Sequence, residues 1–183
     1  MAAALILISA LPGVTAPASA RVDPASGPQS MPGGQPIVLM AAEGEPPLRV
    51  PPRQPAGGVR VQSATITINY LADGTTNALG DPCVSWPAGA VTAFNYAKTI
   101  WAGALNSTVP IVINACRATI MPPGVLGHSA STGSNRDFSG APQTGTWYAV
   151  ALANALAHTD LNDSTAEMEN AYSSTFSWYY GAD

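Results

Sequence analysis

The chain has two histidines, His128 and His158, thirty positions apart. Neither has a second His or a Cys at the spacing a metal centre uses, so each reads first as a surface or loop residue. No Gly-x-Ser-x-Gly elbow is present to expose a serine nucleophile, and no glycine-rich loop follows a predicted strand to cradle a phosphate. Asp160, Asn162 and Asp163 gather side-chain oxygens, with Glu167 and Glu169 close behind. Such a group offers a calcium reading, although the central glycine and register of an EF-hand loop are missing. The plainer alternative is that Asp160 or Asp163 caps a helix. No residue is therefore assigned a catalytic role, and no metal ligand beyond those calcium candidates. Asn106-Ser-Thr108 and Asn162-Asp-Ser164 are glycosylation sequons, which matter only in a eukaryotic secretory route.

Composition narrows the classes further. Of 183 residues 10% are charged and 32 are alanine, so one domain with a modest core is expected. A net charge of −4 with seven Lys and Arg argues against a nucleic-acid partner. Two cysteines are too few for a thiolate zinc site or a disulfide-dense scaffold. No apolar run reaches the length of a membrane span. The opening MAAALILISALPGVTAPASA resembles a secretory signal: an apolar stretch from Ala2 to Leu11, a break at Pro12-Gly13, and Ala18-Ser19-Ala20 as an A-x-A cleavage site. It lacks a basic residue before the apolar stretch. Residues 1–20 are thus expected to direct export, leaving a secreted chain with no membrane span after cleavage.

Residues 21–60 hold nine Pro and six Gly, with Ile37-Val38-Leu39-Met40 the only compact apolar patch. Such a segment buries too little to offset the entropy of its own ordering, and it is predicted to be a disordered Pro/Gly-rich linker or pro-segment. The alternative is that its Ile37–Met40 patch docks on the domain that follows. That domain is assigned to residues 61–183. Ile66, Ile68 and Tyr70 alternate with Thr65, Thr67 and Asn69, a half-buried strand over 64–70. Pro87 suits the first turn of a helix. Val91, Phe94, Ala97, Trp101 and Leu105 then mark its apolar stripe to about Asn106, with Phe94 and Trp101 as core residues.

Residues 109–115 read as a strand buried on both faces, and strand, helix and strand form a parallel unit. The return of that second strand brings Cys116 back near Cys83. In an exported chain the pair is expected to form a disulfide, the alternative being two buried thiols. Residues 125–133 are Gly/Ser-rich and loop-like, and Arg136–Phe138 are read as a turn or edge. An edge strand at 147–149 leads into a helix at 150–157, and an aromatic-rich strand follows over 167–180.

The stretches AFNYAKTIWAGALNSTVPIVINA, VLGHSAS, RDFSGAPQTGTWYAVALANALAHTDLN and SSTFSWYYG resemble a group of bacterial exported zinc metallopeptidase-like proteins. The resemblance covers about residues 64–183, and GTWYxVALANALAxxDLN is its most specific run. It implies an α+β, partial zincin-like domain: a twisted mixed sheet with one long amphipathic helix, preceded by the disordered arm. It also implies a His-Glu-x-x-His helix downstream, carrying two zinc ligands and the general base. The motif is absent from this chain, so no cofactor is expected here, and zinc only with that further segment. The expectation is the N-terminal, non-catalytic part of a secreted peptidase-like protein, cut short and inactive alone, whose peptide or protein substrate is met by the complete domain. A complete secreted binding module without enzymatic activity is the alternative.

Overall fold

The computed structural model describes residues 27–40 and 63–181. The signal-like segment 1–20 and most of the arm lie outside the described residues. Ten elements follow in chain order: β1 (Gln29–Pro32), β2 (Ile37–Met40), β3 (Ile66–Tyr70), α1 (Ala88–Ala104), β4 (Ile111–Ala118), β5 (Val125–Ser131), β6 (Gly133–Arg136), β7 (Tyr148–Ala149), α2 (Val150–Ala157) and β8 (Met168–Ser173). The architecture is α+β. A five-stranded mixed sheet has the order β2-β5-β8-β4-β3, and a three-stranded antiparallel sheet has the order β1-β6-β7. No described helix is long and apolar enough to cross a membrane.

The predicted parallel unit is present. β3 pairs parallel with β4, Ile66 opposite Ile111 and Asn69 opposite Asn114, with α1 as the crossover. β8 enters on the other side of β4, also parallel, and β5 closes on β8 antiparallel. Past Tyr70 the chain leaves the edge of β4, and Cys83 takes the place by bridging to Ala118. This sets Cys83 beside Cys116, and the disulfide joins them with their Cα atoms 5.3 Å apart. The bridge lies in a core with Ala118, Ile120, Val125 and Ala171.

Several expectations are corrected. First, 29–32 and 37–40 are not disordered arm: they add strands to the outer side of β6 and β5. β2 leaves all four side chains 50–73% exposed, so main-chain pairing rather than burial holds it, the mode of an added edge strand. Its polyproline-prone neighbours concealed that pairing. Second, 125–131, read as loop-like, form a strand, and another follows over 133–136. Small residues are required there because the backbones run close: a Cβ on Gly127 would come within 2.6 Å of the carbonyl oxygen of Ala171.

Third, Trp101 is not core; it is 59% exposed, and Ala90 is the one fully buried residue of α1. The helix is held at its N-terminal half. There Phe94 meets Trp86 and Tyr172 edge-on at 5.2 and 4.7 Å, and Tyr70 closes the cluster against Trp86 at 5.3 Å. The aromatic strand predicted over 167–180 ends at Ser173. The chain then leaves the sheet, tied by a hydrogen bond from the Trp178 indole N–H to the Ser173 carbonyl at 2.7 Å. Tyr180 packs on the first turn of α1, its ring 3.3 Å from where a Cβ on Gly89 would stand.

Candidate functional site

The two faces of the five-stranded sheet differ in chemistry. On the side of α1, Ile66 and Ile68 of β3, Ile111 and Ile113 of β4 and Met168 of β8 meet Phe94 and Trp101 of the helix and Leu105 just past its end around an apolar groove of about 620 Å³. The C-terminal half of α1 overhangs this groove without filling it. Tyr172 lies at its edge. Burial pushes the phenol pKa of Tyr172 up, the hydrogen bond from Asn170 partly opposes this, and nearby Tyr70 raises it further. Tyr70 is also raised, by burial.

The opposite face is polar. Asn69 donates through its amide to the Asn114 side-chain oxygen at 3.1 Å, and Asn114 donates in turn to Oε1 of Glu169 at 2.6 Å. Three adjacent strands thus carry one hydrogen-bonded row that ends on a carboxylate. Glu169 is 6% exposed, and its Oε2 is buried with no partner among the described residues. The row borders a cavity of about 540 Å³, whose far walls are Ser30 and Met31 of β1, Asn135 of β6, Val150 of α2, and the loop residues Leu161 and Asn162.

Beside this row lies a second pair. Asp81 is held in its loop by the buried Asn77, whose amide donates to it at 2.9 Å. Its carboxylate faces Nε2 of His128 at 3.1 Å, while Nδ1 of His128 is buried and unpartnered. His128 is thus a partly buried strand residue rather than a loop one. His158, at the C-terminal end of α2 in a left-handed conformation, sets Nδ1 3.3 Å from the Thr108 hydroxyl.

The calcium candidates serve a turn. Asp160 accepts from the backbone N–H groups of Asn162 and Ser164 at 2.9 and 3.2 Å. The Asn162 side-chain oxygen accepts from the Asn154 amide at 2.8 Å, and Asp163 takes a left-handed φ of 48°. Neither Asp160 nor Asp163 caps a helix. No three His, Cys, Asp or Glu side chains among the described residues are grouped to hold a metal ion. The two histidines have different partners, Asp81 for His128 and Thr108 for His158, and the zinc of the family resemblance is tied to a further segment rather than to these residues.

Two groups escaped the sequence reading. One is the row on the polar face, whose signal was an asparagine in the same place of two strands, ITINY and IVINA. The other is Asn154, 1% exposed. Its oxygen accepts from the Leu161 N–H at 3.0 Å, and its amide donates to Asn162 and, at 3.2 Å, to Oε1 of Glu167. Glu167 spends its other oxygen on the Val112 N–H at 2.6 Å. The ALANALAHTDLN run is thereby a structural knot joining α2, the following loop and β4. Comparison with family models, with curated proteins and with solved structures returns no significant match to this chain.

Proposed function

We propose that this chain is a non-catalytic, sheet-bearing portion of an exported zincin-like peptidase domain. The observation that carries the reading is the half-covered apolar face beneath α1, with Trp101 59% exposed above a groove of about 620 Å³. In a zincin-like domain the helix bearing His-Glu-x-x-His lies against the sheet and covers such a face. Apolar surface of this extent is normally closed by another element. The disulfide supports an oxidising, extracytoplasmic destination. Zinc chemistry and the binding of a peptide or protein substrate then belong to the complete domain, because the described residues supply neither three grouped ligands nor a base positioned beside them. The test is metal analysis and casein cleavage with the purified chain. No stoichiometric zinc and no cleavage are expected; bound zinc together with chelator-sensitive cleavage would overturn the reading.

A second reading, a secreted binding module without enzymatic activity, is favoured by one observation. Glu169, which lines the cavity on the polar face, has one buried carboxylate oxygen that no described residue satisfies.

A further inference from the structure

The groove beneath α1 carries one charge on an apolar lining. Ile66 of β3, Ile111 of β4 and Met168 of β8 form its floor, with Phe94 and Trp101 on the helix side. Among the described residues that line it, Lys98 alone is charged. It stands one helical turn from both Phe94 and Trp101, on the same face of α1, and it is the only lysine of the 183 residues. Lys98 is half-buried, so its alkyl stem follows the apolar wall while the ammonium keeps to water. The two salt bridges among the described residues, His128 with Asp81 and Arg136 with Asp137, do not include it. The other polar lining residues, Asn170 and Tyr172, are bonded to each other, and Asn170 also to Ser129. Solvent reaches the groove past Trp101 and Leu105, which are 59% and 38% exposed. Its volume of about 620 Å³ lies in the range of small-molecule sites, which are mostly apolar with a few polar groups that fix orientation. This lining is matched by a molecule apolar over most of its length and negative at one end. A membrane surface is a poorer match, because it is held by clusters of basic residues, whereas this chain has one lysine and a net charge of −4.

We infer that this groove binds a free long-chain carboxylate, its alkyl chain laid between sheet and helix and its headgroup accepting a charge-assisted hydrogen bond from the Lys98 ammonium. This goes beyond the peptidase-like reading and does not rest on it, since it concerns the face as the described residues leave it, half-covered. Carbon-13 NMR on the full chain tests it, with label at the lysine ε-methylene and the methionine methyl groups. The one lysine gives a single signal, and Met168 reports from the floor of the groove. Sodium dodecanoate, titrated below its micellar concentration, is expected to shift both signals saturably. Dodecyltrimethylammonium, of the same chain length and opposite charge, is expected to bind at least tenfold more weakly, and acetate to leave Met168 unmoved. By the Met168 signal, Lys98→Gln is expected to weaken dodecanoate at least fivefold and Lys98→Glu to reverse the order of the two amphiphiles. Ala97→Trp, which fills the groove from an exposed position of the helix and leaves Lys98 in place, is expected to weaken dodecanoate at least fivefold. Equal binding of the two amphiphiles, or unchanged dodecanoate affinity in Lys98→Gln or Ala97→Trp, would overturn the inference. So would a stronger response to phosphatidylglycerol vesicles than to dodecanoate, or a Met168 signal that moves on dilution of the chain and not with dodecanoate, the mark of a second copy in the groove.

Discussion

Phe94 and Tyr172 meet edge to face with ring centroids 4.7 Å apart, joining α1 to the central strand of the sheet. Seven residues further along the same helix Trp101 is 59% exposed. The helix is thus anchored at one end and overhangs at the other, and the two aromatics should respond oppositely to substitution. Phe94→Ala is expected to cost about 3 kcal/mol, from lost burial and lost edge-on contacts. Trp101→Gln is expected to change stability by less than about 1 kcal/mol and to reduce binding of a hydrophobic dye. Chemical denaturation of both variants checks this, and a larger loss from Trp101→Gln than from Phe94→Ala would contradict it.

The disulfide closes a loop of 33 residues between Cys83 and Cys116. By the chain-entropy account it contributes on the order of 3–4 kcal/mol. Non-reducing peptide mapping of secreted material is expected to show one linked pair. Reduction, or Cys83→Ser with Cys116→Ser, is expected to lower the denaturation midpoint correspondingly. Two alkylatable thiols in native secreted protein would contradict the pairing.

Alkaline pH should act through the phenols. Tyr70 and Tyr172 both sit above the ordinary value of 10.0 in the folded chain, with burial the largest cause in each. The unfolded chain therefore releases these protons first. The stability they contribute is full below pH 10 and is lost as pH rises through their folded values. Tyr172→Phe keeps the ring and gives up only the hydrogen bond from Asn170, at 3.3 Å. It is expected to flatten the fall in stability above pH 10, with less than about 1 kcal/mol change at neutrality. Melting curves from pH 7 to 11 check this, and an unchanged alkaline slope would count against it.

Much of the frame was legible in the chain. Alternation in Ile66–Tyr70, the start signal at Pro87 and the apolar run after Pro110 foretold a strand, a helix and a parallel return, and the return brought Cys116 to Cys83. Trp147–Ala157 read correctly as a short edge strand entering a helix. What stayed hidden had physical causes. β5 is built of residues such as Gly127, Ser129 and Ala130, whose smallness serves close strand approach and imitates a loop. β2 is held by main-chain pairing, which leaves little trace in side-chain periodicity. Trp101 carries the spacing of a core residue, but periodicity reports which face a residue shares, not whether anything covers that face. The polar row from Asn69 to Glu169 depends on register between three strands, which a single strand's pattern does not contain.

The central claim is that the apolar face under α1 requires a covering element from the rest of a peptidase-like domain. Size-exclusion chromatography with a thermal melt on the chain from residue 21 onward tests it most directly. Open apolar surface and the outer edge of β3, unpaired among the described residues, promote association. Oligomers, dye binding and a broad unfolding transition are expected, all relieved when the chain is extended through a segment carrying His-Glu-x-x-His. A dye-silent monomer that unfolds in one sharp cooperative step would contradict the account.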